Sequence, residues 1–166
     1  YPAEVFYCLN TLEELEHPGY INHLQYILEN RNIVIRQDIL QRIERLKITR
    51  LAPNVKLRIR RETPDAALGQ TLRTYAALKQ PDTLEQLLPF VQTSNQQVRL
   101  GALVGILSFE QNNDQAQDYL LNVVRSENTE DRIFAAKVMG QIASDHFSGF
   151  LIELLDDHDS EVVDQA

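Results

Sequence analysis

An open α-solenoid, about five stacked helical hairpins with partial units at both ends, is the fold this sequence predicts. Three observations carry that reading: a motif recurring about every 32 residues, apolar positions at helical spacing inside each copy, and weak strand signals. Residues 87–91 followed by 97–102 superpose on 119–124 followed by 130–135, with the arginine and alanine columns each offset by 33. Extending that register gives a column of Phe6, Arg36, Ala67, Arg99, Arg132 and Val163, with steps of 30, 31, 32, 33 and 31. The approximate units are 1–16 (partial), 17–48, 49–80, 81–110, 111–144 and 145–166 (partial).

Each unit reads as two helices. Leu84, Leu87, Leu88 and Val91 make the apolar stripe of one first helix, and Ile21, Leu24, Ile27 and Leu28 that of another. Short polar turns follow, such as Thr93-Ser94-Asn95 and Ser126-Glu127-Asn128. Second helices then show stripes of their own: Ile35, Ile39, Ile43 and Leu46, or Ala135, Val138, Met139 and Ile142. Asp82-Thr83-Leu84-Glu85 has the form of a capping box, and Thr63-Pro64 places a cap before a first-turn proline. Val55 to Arg60 alternates like an edge strand, but helices on both sides favour a short first helix there. A two-helix unit of this size cannot enclose its apolar face, so neighbours must stack to share a core.

Composition bounds the function. The 166 residues are 43% hydrophobic and 24% charged, an ordinary globular balance. No apolar run approaches the ~18 residues that a membrane-spanning helix needs. A net charge of −8 argues against whole-surface nucleic-acid binding, and no sequence-specific nucleic-acid partner is expected. The chain opens Tyr1-Pro2-Ala3 without an initiator Met and stops in what reads as the start of a helix; the expectation is a segment of a longer protein. No cofactor or metal is expected. His17, His23, His146 and His158 are scattered, and Cys8 falls in an apolar stripe with Val5, Leu9 and Leu12, where a buried inert thiol is expected. Asp156-Asp157-His158-Asp159 offers cation ligands but reads as a helix-capping turn. Gly101 and Gly105, four apart in a helix, suggest close helix packing and not a phosphate loop.

The strongest signal outside the repeat is charge segregation. Arg42, Arg45, Lys47, Arg50, Lys56, Arg58, Arg60 and Arg61 face only Glu44 within twenty residues, so half of the sixteen cations lie there. Such a cluster can attract an anionic ligand or lipid headgroup; the alternative is a solvated face balanced by acidic neighbours, with Glu62 and Asp65 near at hand.

Leu154-Leu155-Asp156-Asp157-His158-Asp159-Ser160-Glu161-Val162-Val163, with Val98-Arg99 and Ala102 in a sister copy, resembles the HEAT and HEAT-like (PBS-lyase-type) repeat family. The resemblance spans essentially the whole chain. It implies a right-handed superhelix and a protein-interaction surface on the second-helix face. It also implies a structural ladder in which Arg36, Arg99 and Arg132 tether adjacent turns; Phe6, Ala67 and Val163 depart from it, and Asn30 and Asn95 stand where Asp is common. The opening Glu4-Val5-Phe6-Tyr7-Cys8-Leu9, through Leu12-Glu13-Glu14-Leu15 to His17-Pro18, is similar to HEAT segments fused to membrane transporters of the ADP/ATP translocase type.

These readings give a non-catalytic scaffold that binds a protein partner or another domain of its own chain. Candidate contacts are Gln37, Gln41, Gln70 and Lys137 on second helices, with Arg58, Arg60 and Arg61 in the basic cluster. The expected location is the cytoplasm, or the cytosolic part of a membrane-bound parent. Two rivals stand beside it: a regulatory domain of a nucleotide transporter, and a HEAT-like bilin lyase subunit, which would need an acidic or aromatic groove for a tetrapyrrole.

Overall fold

Residues 1–62, 66–142 and 144–166 are described by a computed structural model. Among them there are eleven α-helices and no strand. In chain order these are α1 (Pro2–Glu14), α2 (Tyr20–Ile27), α3 (Ile33–Leu46), α4 (Ala52–Arg61), α5 (Ala66–Ala77) and α6 (Thr83–Leu87), then α7 (Gln96–Phe109), α8 (Asp114–Val124), α9 (Thr129–Ile142), α10 (Ser148–Leu155) and α11 (Ser160–Val163).

Packing follows a simple rule. Each even-numbered helix packs on the odd-numbered one after it, and α1, α3, α5, α7, α9 and α11 each touch the next member of their own series. One apolar cluster runs through the whole set, from Leu9 on α1 to Val162 on α11.

Local chemistry explains where the odd helices begin. Asn32 accepts from the backbone N–H of Val34 and Ile35, Asn95 from Gln97 and Val98, Asn128 from Glu130, and Asp159 from Glu161. Each of these side chains satisfies donors that the first helical turn leaves orphaned. Each also sits four residues before the column of Arg36, Arg99, Arg132 and Val163. The Thr63-Pro64 start signal lies outside the described residues.

The ends of the odd helices carry a second periodic mark. Among the described residues, the positive-φ residues other than glycine are Glu16, Lys47 and Lys79, at φ 48°, 49° and 51°. They close α1, α3 and α5, and are spaced by 31 and 32 residues. At the first two, the next N–H reaches back five residues, His17 to Leu12 and Ile48 to Ile43, which satisfies late helix carbonyls.

Two local readings change. Asp82 precedes α6 but makes no side-chain capping bond; its carboxylate instead accepts from the Tyr75 hydroxyl (2.6 Å) and pairs with Lys56. A cationic partner and a phenol outcompete the backbone amides. Cys8 is exposed, not buried. Only one side of α1 is covered, by α2 and α3, so of that stripe only Leu9 is buried. The alternating run at Val55 to Arg60 is helical: Val55 and Ile59, one turn apart, are buried, while Leu57 stays 40% exposed.

Gly69 and Gly101 set the α5–α7 contact. A Cβ on Gly101 would run into the Gly69 carbonyl, and one on Gly69 into that of Gln97. The two backbones touch, which only glycine permits.

Candidate functional site

Helices α1, α3, α5, α7 and α9 line a polar groove. Its larger part, about 810 Å³, is formed by α1, α3 and α5, with Gln41 and Gln70 on its walls. Arg42 organises the floor. Its guanidinium donates to Asp38 (2.7 Å), Glu13 (2.9 Å) and Asn10 (2.6 Å), while the Tyr20 hydroxyl donates to Glu13 at 2.6 Å. Arg45 donates to the other Glu13 oxygen at 2.5 Å. Burial alone would push the Glu13 carboxyl up, but bonds from Tyr20 and Arg45 outweigh it and hold the group below its ordinary value. Five hydrogen bonds among six side chains thus fix the floor as pre-paired charge, not as a free acid or base.

The groove continues over α5, α7 and α9 as a smaller hollow of about 320 Å³ that shares Glu44 and Arg73 with the first. Glu44 accepts from Gln70 (2.6 Å) and from Arg73 (3.2 Å). Arg73 also donates to Gln141 of α9 at 2.7 Å, reaching past α7. That reach is possible because α7 presents small residues here, with Val104 and Ser108 lining the hollow.

Of the residues singled out by sequence, Gln41 and Gln70 line this groove. Gln37 is half-buried on α3 and Lys137 is exposed on α9, one turn before Gln141; neither lines it. The arginine column divides by chemistry. Arg36 donates its Nε to Glu62 (3.1 Å), pairs with the same carboxylate through Nη2, and donates Nη1 to the carbonyls of Asn30 and Arg31. Arg132 repeats this 96 residues later: Asp157 at 2.6 and 3.1 Å, and the carbonyls of Ser126 and Glu127. Each pair ties a second helix to a carboxylate 26 or 25 residues ahead. At Arg99 the matching positions are Val124 and Arg125, which offer no carboxylate. Its guanidinium lies instead over the Phe134 ring at 4.5 Å and near Tyr119 at 6.0 Å.

The basic cluster does not form one patch. Arg42, Arg45 and Lys47 belong to the groove side of α3, whereas Arg58, Arg60 and Arg61 are on α4. Arg58 is bound to Glu62 (2.6 Å) and Glu29 (3.4 Å), and Arg61 stands 3.8 Å from Glu29. Arg60 is exposed and has no ion pair among the described residues. Asp65 lies outside them.

The acidic turn at 156–159 is occupied by its own structure. Asp157 serves Arg132, and Asp159 caps α11 and accepts from Thr129. Among the described residues no group of three or more His, Cys, Asp or Glu could hold a metal ion. No helix among them is long and apolar enough to cross a membrane.

Comparison with known proteins finds no matching family model, no matching curated protein and no matching solved structure.

Sequence reasoning missed the Glu13–Tyr20–Arg42 floor and the Arg73–Gln141 bridge. A signal for the arginines was present: Arg42 and Arg73 each sit six residues past the repeat column, at 36 and 67.

Proposed function

We propose that this chain is a non-catalytic interaction scaffold. It is a right-handed α-solenoid of HEAT-like hairpins whose second-helix groove receives a protein partner or another domain of its own chain. The observation that carries this reading is the long polar groove along α1, α3 and α5, extended over α7 and α9. Its wall amides are presented on a rigid floor of paired charge. A surface of this kind recognises extended polypeptide through many modest contacts, with orientation fixed by the preorganised groups. The odd-helix packing series supports the stacked arrangement, since each unit lends its neighbour an apolar wall. Placement in the cytoplasm, alone or on a membrane-bound parent, belongs to the same proposal.

Site-specific photocrosslinking in the full-length protein tests it. A crosslinker at Gln41 or Gln70 should give a discrete adduct with a protein or with a distant part of the same chain. The same group at Gln25 or Asn54, on the even-helix side, should not. Equal adducts from both faces, or none from the groove, would contradict the proposal.

A further inference from the structure

We infer that the smaller hollow is an anchor for a carboxylate side chain of the partner segment; the inference rests on the groove being the docking surface. Three cations, Lys47, Arg73 and Lys79, border it against the single carboxylate of Glu44. That local excess of positive charge sits in a chain of net −8. Glu44 is already committed to Arg73 and Gln70, so it leaves both lysines uncompensated. Neither lysine has an ion pair among the described residues. The Arg73 Nε is buried with no hydrogen-bond partner, although its two Nη groups are satisfied by Glu44 and Gln141. The Arg73 side chain as a whole is 31% exposed, so its guanidinium can donate a charge-assisted hydrogen bond to an entering anion.

Backbone geometry makes the second, independent argument. Lys47 and Lys79 are held at φ 49° and 51°, a conformation that glycine adopts without strain and that long side chains resist. Stability alone favours glycine at both helix ends. Glu16 shares this helix-end conformation, so it belongs to the repeat; at α3 and α5 it places both lysines beside the hollow. The opposite end of the groove is acidic: Glu14 and Glu16 line it, exposed and without ion pairs among the described residues. The partner therefore lies with an Asp or Glu over α5 and α7, and with any basic residue toward α1. A carboxylate on a methylene stem uses both the polar and the apolar lining of the hollow. Ser108 and Gln141 offer further polar groups, while Ala76, Ala77 and Val104 form an apolar floor for the methylene stem.

The test titrates the isotope-labelled protein with a capped triglutamate peptide, monitored by amide and arginine Nε resonances at constant ionic strength. Saturable shifts are expected at Lys47, Arg73, Lys79 and Gln141, together with a large displacement of the Arg73 Nε signal. The Lys47→Gly/Lys79→Gly variant should lose at least tenfold in peptide affinity while melting at or above the temperature of the unaltered protein. Three results would overturn the inference: shifts centred on Arg60 and Arg61, binding unaffected by the double variant, or stronger binding of inorganic phosphate than of the peptide. Crosslinking from Gln41 and Gln70 requires neither lysine. Failure here with adducts retained there removes the anchor and leaves the groove standing; loss of both removes the groove.

Discussion

At the scale of single residues, the Arg132–Asp157 pair shows how a buried charge is held when both partners are present. Arg132 and Asp157 are 6% and 7% exposed, and the guanidinium uses Nε, Nη1 and Nη2 on four acceptors. Its hydrogen bonds hold the Asp157 carboxyl below the ordinary carboxylate range. A depressed value means that the carboxylate contributes stability above its unfolded value, about pH 4, and that this contribution is lost as pH falls through the folded value. Removing one partner of a buried pair costs about 3–5 kcal/mol, because the other charge is stranded. Arg132→Ala should therefore cost about 3 kcal/mol or more at pH 7. The gap should narrow below about pH 4, where protonation relieves the stranded Asp157. Urea melts at pH 7 and pH 3 check this; a gap of equal size at both would assign the loss to packing alone. The Arg36 and Arg132 column was legible from spacing, because the register fixes which side chains recur on one face. The Arg99 stacking was not, since nothing in its own unit announces that the carboxylate ahead is missing and that Phe134 takes its place.

At the scale of helices, boundaries are readable wherever a single residue's chemistry sets them. Asn32, Asn95 and Asp159 start helices as expected of cap formers. Asp82 misleads because the capping pattern is local, while Lys56 and Tyr75 reach it from other helices. The alternation at Val55 to Arg60 is equally ambiguous in sequence, and packing of Val55 and Ile59 on one side decides for helix. Glycines give the sharpest contrast. Gly101→Ala gains about 1 kcal/mol of helix propensity, yet it forces apart two touching backbones, an overpacking that costs about 1–3 kcal/mol or more. Gly140 lies in α9, and a Cβ added there would meet nothing within 4 Å. Gly140→Ala should therefore stabilise by up to about 1 kcal/mol. Denaturant midpoints should move in opposite directions for the two variants; a neutral Gly101→Ala would mean that the α5–α7 approach is looser than described.

At the scale of the whole molecule, alternation of helices turns a one-dimensional repeat into a groove. Each even helix packs on the odd helix that follows it, and the odd helices pack in sequence from α1 to α11. The all-helical class followed from periodicity; of the four second-helix positions singled out in sequence, Gln41 and Gln70 line the groove and Gln37 and Lys137 do not. Its floor could not follow, because Glu13, Tyr20 and Arg42 come together only when α1, α2 and α3 are packed. The central claim is that order of packing. Distances between spin labels on the exposed face of the odd helices test it most directly, after Cys8→Ser removes the exposed thiol. The Gln41–Lys137 pair spans α3 to α9, and Asn10–Lys137 adds one more helix. The second distance should exceed the first by up to one helix spacing, about 8–10 Å. An Asn10–Lys137 distance equal to or shorter than that of Gln41–Lys137 would mean that α1 folds back onto α9, and the stacked account would be wrong.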